Sequence, residues 1–329
     1  MTDERPDDKT LRKVLSDIVR GYSIASFEGA EAYVKHFGNE DQYELESFHD
    51  EVFSTAQSRG LPTEEESMAL LQSEGIWSEK DENEYSTTQE YIKNLEETRK
   101  NLIIPSQIET VSNDLKEANE KLQVIFTKRQ SLLTDTCESY AKNKANDYSI
   151  YLSFYGNPKC DKRFFKRSDF DELSKKDLAS WFGAYGIGIK DLTIENIKYL
   201  AISDVFSMYY NLLGSKGLYR FINKPVYKFS FYQLNLLNYA RVLHSILENV
   251  DKIPDSIKKD PDKLLAFAEG KNRHKDTVEK SKDKQGFSVV GATSKDMGEM
   301  GVKDELSLSP FELAKEKGSL TIEDFQNFS

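Results

Sequence analysis

Hydrophobic residues near the start of the chain recur at mixed spacings of three and four, which is the spacing of an amphipathic helix. Leu11, Val14, Leu15 and Ile18 form the first such set. Polar residues fill the positions between them, so one face of each helix is apolar. The pattern predicts a series of short helices over residues 10–75.

Capping boxes give a second signal for helix starts, because a hydroxyl and a carboxylate three residues later satisfy each other's backbone amides. Thr63 and Glu66 form such a box after the turn sequence Gly-Leu-Pro. This box predicts a helix that begins near Glu64 and ends near Gly75.

Two longer helices are predicted next, with Pro105 between them. Ser78 with Asp81 caps the first helix, and Ser106 with Glu109 caps the second. Each helix carries two rows of side chains that repeat every seven residues. The rows are Tyr85, Ile92 and Arg99, and Thr88, Leu95 and Leu102, in the first helix, and Ile108, Leu115 and Leu122, and Val111, Ala118, Ile125 and Leu132, in the second.

Rows with a period of seven form the narrow apolar stripe of a coiled coil. They predict an antiparallel coiled-coil hairpin over residues 78–135. A helix from Glu79 to Leu102 would be about 35 Å long, so we expect the hairpin to project from the body of the protein. The alternative is that both helices lie flat on a globular core as two members of a bundle.

The middle of the chain is rich in aromatic residues. Residues 148–239 contain 21 of the 38 Phe, Tyr and Trp residues, so the largest core is expected there. Long segments with a wide apolar arc predict an aromatic-rich helical domain over residues 136–250. The run SIYLSFY, residues 149–155, also fits a strand, and GAYGIGIK, Gly183 to Lys190, is predicted to be a turn between two helices.

The last part of the chain, residues 251–329, is polar and highly charged, and it is predicted to be a largely flexible tail. Two short helices interrupt it, one starting at Asp260 and Pro261 and the other at Ser309 and Pro310. Short amphipathic segments in a polar tail typically dock on a partner. The predicted docking side chains are Phe311, Leu313, Leu320, Ile322, Phe325 and Phe328.

The pattern as a whole predicts a mainly α protein in four parts: a small N-terminal helical region over residues 1–77, the hairpin, the aromatic-rich domain and the tail. A mean hydropathy of −0.63 and the lack of a long apolar run favour a protein that does not enter a membrane. The acidic N-terminus does not resemble a signal peptide, and the two cysteines do not form a disulfide framework. We expect a cytosolic protein with reduced thiols.

Charge is unevenly distributed along the chain. The formal net charge is −14 for residues 1–135 and +5 for residues 136–250. An acidic part and a basic part in one chain favour self-association through complementary surfaces as one mode of contact.

One segment combines cations with aromatic rings: Lys159, Lys162, Arg163, Phe164, Phe165, Lys166 and Arg167. Cations can bind phosphates while rings stack on bases, so this basic-aromatic segment predicts a nucleic-acid site. It fits an acidic protein surface equally well. A third interpretation is that the two phenylalanines are core anchors and the cations form a solvated rim.

Signals for enzyme chemistry are weak. GAYGIGIK fits neither the P-loop nor the dinucleotide-binding spacing, and no Gly-x-Ser-x-Gly motif occurs. The four histidines lie in separate segments, so a metal site is not expected. We expect a protein that is not an enzyme and that has no catalytic residues, metal or cofactor.

The segment SRGLPTEEESMALLQSEGIWSEKDE, followed by a long helical hairpin, resembles structural and assembly proteins of T4-like tailed bacteriophages, and is loosely similar to baseplate and tail assembly chaperones. The resemblance covers roughly Gly60 to Asn143. It is centred on Leu61, Pro62, Thr63, Glu64, Gly75, Trp77, Ser78 and Glu82. It implies a non-enzymatic virion or tail-assembly factor in the host cytoplasm or the virion, with other phage structural proteins as partners.

Overall fold

The computed structural model describes residues 5–27, 29–102, 105–250 and 252–269. The described residues form two compact units. The first comprises residues 5–67 and 134–268, and the second comprises residues 68–133. The first unit thus combines the N-terminal region with the aromatic-rich segment, and residues 68–77, grouped by pattern with the N-terminal region, belong to the hairpin unit.

The described residues are mainly α-helical, as the hydrophobic pattern predicts. The helices are α1 (Asp8–Arg20), α2 (Asn39–Ser58), α3 (Glu64–Ser73), α4 (Glu79–Asn101), α5 (Pro105–Leu132), α6 (Cys137–Ser153), α7 (Arg167–Asp171), α8 (Lys175–Ile189), α9 (Ile194–Ile202), α10 (Asp204–Gly217) and α11 (Phe231–Asn249). Short 3₁₀ helices cover Leu218–Ile222 and Val226–Lys228, and residues 261–269 are also helical.

A helical core occupies one part of the first unit. Helix α1 contributes the apolar face that the sequence predicts, and helices α9, α10 and α11 pack around it. The N-cap Asp7 accepts a hydrogen bond from the Thr10 amide at 2.7 Å, and Gly21, with a φ of 79°, ends α1. The buried side chains of this core include Leu11, Val14, Ile18, Ile197, Leu200, Phe206, Leu218, Leu236, Leu243 and Leu264.

A small antiparallel sheet, which the sequence pattern does not predict, forms the other part of the first unit. Its strands are β1 (Tyr22–Phe27), β2 (Ala30–Lys35) and β3 (Phe154–Tyr155), in the order β1-β2-β3. The prediction of helices throughout residues 10–75 is therefore wrong for residues 22–35. The buried face of β1 and β2 carries small side chains such as Ser23, Ala25 and Ala32, so the alternation typical of a strand is weak there.

Helix α8 packs against this sheet at a glycine. A Cβ atom built on Gly188 would lie 3.3 Å from Cγ2 of Val34 and 3.4 Å from Cβ of Ala25. The glycine and the small strand residues together allow the helix to approach the sheet closely. The prediction that Gly183 to Lys190 forms a turn is wrong, because α8 continues through it to Ile189.

Aromatic side chains fill the space between the sheet, α6 and α8. Phe154 and Trp181 are buried, with their ring centroids 4.8 Å apart. The segment SIYLSFY is partly helix and partly strand, so both of its sequence interpretations are correct in part. Helix α6 extends to Ser153, and the next two residues form β3.

The second unit is the predicted hairpin. Ile92 of α4 is buried against Leu115 and Ala118 of α5, and Leu95, Val111 and Leu122 pack around them. These side chains belong to the predicted seven-residue rows. The Ser78 hydroxyl accepts from the Asp81 amide at 3.2 Å and the Asp81 carboxylate accepts from the Ser78 amide at 2.9 Å, which confirms the capping box at the start of α4.

A second small core lies within the same unit. Met68, Trp77 and Leu133 are buried together, and Leu71, Ile125 and Leu132 pack against them. The Trp77 indole Nε1 donates to Oε2 of Glu82 at 2.7 Å, and Nζ of Lys128 lies 5.2 Å from the indole centroid. The indole therefore links the start of α4 to the end of α5.

Of the predicted tail, the structure describes residues 252–269. The helix predicted to start at Pro261 is confirmed, with Leu264 and Ala268 buried. The predicted helix at Pro310 and the predicted docking side chains from Phe311 to Phe328 lie outside the described residues.

Replacing Leu115 by Asp should unfold the hairpin unit. Leu115 is only 8% exposed, and the change removes a core side chain and buries a charge, which together destabilise by more than about 3 kcal/mol. Circular dichroism should show loss of helix, and hydrogen exchange should locate the loss in residues 68–133. Val124→Asp, at a position 71% exposed on the same helix, is the matched control and should leave the hairpin folded. Unfolding of both units together would contradict this prediction.

Replacing Gly188 by Leu should destabilise the first unit by about 1–3 kcal/mol, because the helix cannot approach the sheet without strain. Gly183 lies in the same helix, and a Cβ atom built on it would meet no other atom within 4 Å. Gly183→Leu should instead stabilise by a few tenths to about 1 kcal/mol through its helix propensity. Urea unfolding of both variants measures the difference, and equal effects at the two positions would disprove the close packing.

Candidate interaction sites

The two phenylalanines of the basic-aromatic segment are partly buried in the aromatic core. The ring centroid of Phe164 lies 4.9 Å from that of Trp181, and the centroid of Phe165 lies 4.8 Å from it. Phe165 also contacts the buried ring of Phe170. The rings therefore serve as core anchors, which is the third of the interpretations that the sequence allows.

The two arginines of the segment also make intramolecular contacts. Nη1 of Arg163 donates to the Leu152 carbonyl oxygen at 2.6 Å, and its guanidinium lies 4.8 Å from the Tyr155 ring centroid. Nε of Arg167 donates to Asp171 at 3.0 Å, and its guanidinium lies 4.7 Å from the Tyr148 ring centroid. Such contacts fix the loop on the aromatic core.

The three lysines of the segment, Lys159, Lys162 and Lys166, are exposed. A nucleic acid bound here would be held by these cations through its phosphates, because the phenylalanine faces pack against other rings. Binding of that kind depends strongly on salt and weakly on sequence.

The hairpin unit carries exposed apolar side chains away from its seam. Tyr91 is 50% exposed, Val124 is 71% exposed and Phe126 is 36% exposed. Tyr91 also lines a shallow depression with Thr87, Thr88, Asp114, Glu117, Ala118 and Lys121. We call these three exposed apolar residues, one on α4 and two on α5, the hairpin outer surface.

A groove lies between α2 and α6 in the first unit, with a volume of about 430 Å³. Its apolar lining is Phe48, Val52, Ala56, Leu61 and Tyr140, and charged residues Glu51, Arg59 and Lys144 stand at its edges.

A second concave site, of about 240 Å³, lies where the starts of α2 and α11 meet. We call it the basic pocket. Five cations line it, namely Arg20, Lys35, Lys159, Lys224 and Lys228, together with two carboxylates, Glu40 and Asp41. Lys35 pairs with Asp41, which also accepts a hydrogen bond from the Gly38 amide at 3.0 Å.

Backbone pairing forms the floor of the basic pocket. The Phe231 amide donates to the Phe37 carbonyl oxygen at 2.9 Å, and Gly38 forms a β-bridge with Ser230. A Cβ atom at Gly38 would lie 2.6 Å from the Phe229 carbonyl oxygen, so a larger residue would separate the two segments. Each of the two segments begins a long helix at this bridge.

His36 is the buried titratable group of the basic pocket. It is 4% exposed, and its Nε2 lies 2.9 Å from the Ser23 hydroxyl. Its Nδ1 atom is buried without a hydrogen-bond partner among the described residues. Burial, with the charge of Lys224 nearby, lowers the pKa of His36 to about 3.

Cys160 lines the same pocket in the left-handed conformation, with a φ of 51°. Burial raises the pKa of its thiol to about 11, although Lys35 and Lys224 oppose that shift. The thiol therefore stays protonated at neutral pH, and Cys160 lacks the thiolate character of a nucleophile.

The sequence identifies one lining residue of the basic pocket, Lys159, as a candidate and misses the others. They come from four separate parts of the chain, so no local motif joins them. The local signals that exist are the glycine before the start of α2 and the Ser-x-x-Gln capping box, Ser230 to Gln233, before α11.

The part of the chain that the structure describes contains no group of three or more metal-ligating side chains. Among the same residues, no helix combines the length and hydrophobicity that a bilayer crossing requires.

Comparison with known proteins gives no relative. The chain matches no family model, no curated protein and no solved structure.

The His36 ring should stay neutral between about pH 8 and about pH 5, because its pKa lies well below the ordinary value of 6.5. Its ring resonances should not shift over this range in a histidine-selective NMR titration. In the unfolded chain His36 binds a proton near pH 6.5, whereas in the folded chain it stays neutral. The free energy of unfolding should therefore fall as the pH drops from about 6.5 towards 3. A His36 resonance that titrates near pH 6.5 would disprove the buried, neutral ring.

Proposed function

We propose that this protein is a non-enzymatic interaction and assembly protein that binds a partner protein through the hairpin outer surface. The observation that supports the proposal most is the hairpin unit itself. Its seam residues are buried against each other, while Tyr91, Val124 and Phe126 stay exposed on the same two helices.

Exposed apolar residues on a helix pair suit a protein partner, because aromatic and aliphatic side chains are the anchors of protein interfaces. Residues 79–132 carry 11 acidic and 8 basic side chains. A net negative surface repels a nucleic acid, so the partner of this surface is expected to be a protein.

The resemblance of residues 60–143 to phage structural and assembly proteins supports one biological setting for such an interaction. In this setting the protein acts as a virion, tail or baseplate assembly factor, and its partners are other phage structural proteins. It would then act in the host cytoplasm or in the virion.

A second candidate function is nucleic-acid association through Lys159, Lys162 and Lys166. Their exposure supports it, and the packing of both phenylalanines weighs against base stacking. The two functions differ in salt dependence. Oligonucleotide binding that weakens steeply as salt rises would favour this candidate.

A photo-crosslinking amino acid in place of Phe126, in protein produced in its native host, tests the proposal. We expect it to capture one partner protein, and we expect Val124→Asp to abolish that capture while leaving the hairpin folded. The same crosslinker in place of Val242, which is 39% exposed on α11, is the matched control and should not capture that partner. Equal capture from both positions would contradict the proposal.

A further inference from the structure

The basic pocket carries five cations against two carboxylates, Glu40 and Asp41, so its positive charge is only partly neutralised. Within the described residues, Lys35 forms an ion pair, but Lys159, Lys224 and Lys228 do not. Three unpaired ammonium groups around a concave site of about 240 Å³ repel one another. An anion placed among them would relieve that repulsion.

Two helix starts add to this positive potential. Helix α2 has 20 residues and α11 has 19, and Gly38 and Ser230, the residues before them, form the β-bridge at the floor of the pocket. The positive end of each helix dipole therefore lies at the pocket. Asn39 and Glu40, in the first turn of α2, line the site, and amides in that turn have no acceptor inside the helix.

The buried imidazole supplies an independent sign of a ligand. Nδ1 of His36 has no hydrogen-bond partner among the described residues although the ring is 4% exposed. Leaving a buried polar atom unpaired costs about 1–3 kcal/mol. A ligand in the pocket that the ring lines would provide the missing partner.

The hydrogen bonds around Ser23 fix the tautomer of the neutral His36 ring. The Ser23 hydroxyl donates to Oδ2 of Asp17 at 3.4 Å, and its oxygen lies 2.9 Å from Nε2 of His36. Because the hydroxyl hydrogen points to the carboxylate, Nε2 carries the ring hydrogen and donates to the Ser23 oxygen. Nδ1 therefore carries a lone pair, which can accept a hydrogen bond from the O–H of a partly protonated phosphate.

We propose that the basic pocket binds a compact phosphoryl anion of the size of phosphate or pyrophosphate, with Lys159, Lys224 and Lys228 as its cationic contacts and Nδ1 of His36 as a buried acceptor. A partly protonated phosphoryl group suits this mixture of ammonium groups, helix starts and one acceptor, because its ionised oxygens accept hydrogen bonds and its O–H donates one. The small, concave site favours such a compact group over an extended nucleic-acid strand, which would follow an open groove.

Isothermal titration calorimetry of the full chain with inorganic phosphate and with pyrophosphate, at constant ionic strength, tests the proposal. We expect saturable binding of at least one of them. Lys224→Gln and Lys228→Gln should each weaken it by about tenfold, which is the loss of one charge-assisted contact. Lys176→Gln removes an exposed lysine of α8 that does not line the pocket, and it should leave the affinity unchanged.

A spectroscopic readout makes the test independent of the variants. In the wild-type chain, the Nδ1 nitrogen resonance of His36 should shift as pyrophosphate or phosphate saturates the site. The absence of both heat and shift at millimolar anion would overturn the proposal. It would also be overturned by affinities that Lys224→Gln and Lys228→Gln leave unchanged, or by oligonucleotide binding that neither anion displaces.

Discussion

The backbone bridge between Gly38 and Ser230 joins the two cores of the first unit. It connects the segment that leaves strand β2 to the segment that enters α11, across almost two hundred residues of chain. The contact requires a glycine, because the Phe229 carbonyl oxygen occupies the space where a Cβ would lie. The buried Gln233 strengthens the same region, since its Nε2 donates to the Ile18 carbonyl oxygen at 2.8 Å. Both helices start at the bridge. The same backbone contact therefore brings the positive ends of two helix dipoles to the basic pocket.

Local signals predicted the helices well. The boxes at Thr63 and Ser78 placed the starts of α3 and α4, because a cap depends on residues within one turn. The heptad rows identified the seam of the hairpin, since side chains repeating every seven residues fall on one stripe of a helix. Each of these features is encoded within a few turns of the chain, so it can be read without knowledge of the tertiary structure.

Features that depend on distant segments were not predictable in the same way. Ala25 and Ala32 carry little hydrophobic signal, and they are buried only because Gly188, far along the chain, lets α8 approach the sheet. The basic pocket draws its lysines from several segments, so composition alone gave only Lys159. Conversely, the basic-aromatic segment looked like a binding motif because its sequence does not reveal that Trp181 covers Phe164 and Phe165.

The division of charge along the sequence does not coincide with the two units of the fold. The acidic N-terminal residues pack in the same unit as the basic middle, so that residues 5–67 and 134–268 together carry 30 acidic and 27 basic side chains. Residues 68–133 carry 12 acidic and 8 basic side chains. Both are net negative, and charges separated by more than about 10 Å are screened at physiological salt. The net charges of the two units therefore give no support to self-association, which stays a prediction, and the local concentration of charge around Lys224 and Lys228 is the stronger candidate for electrostatic recognition.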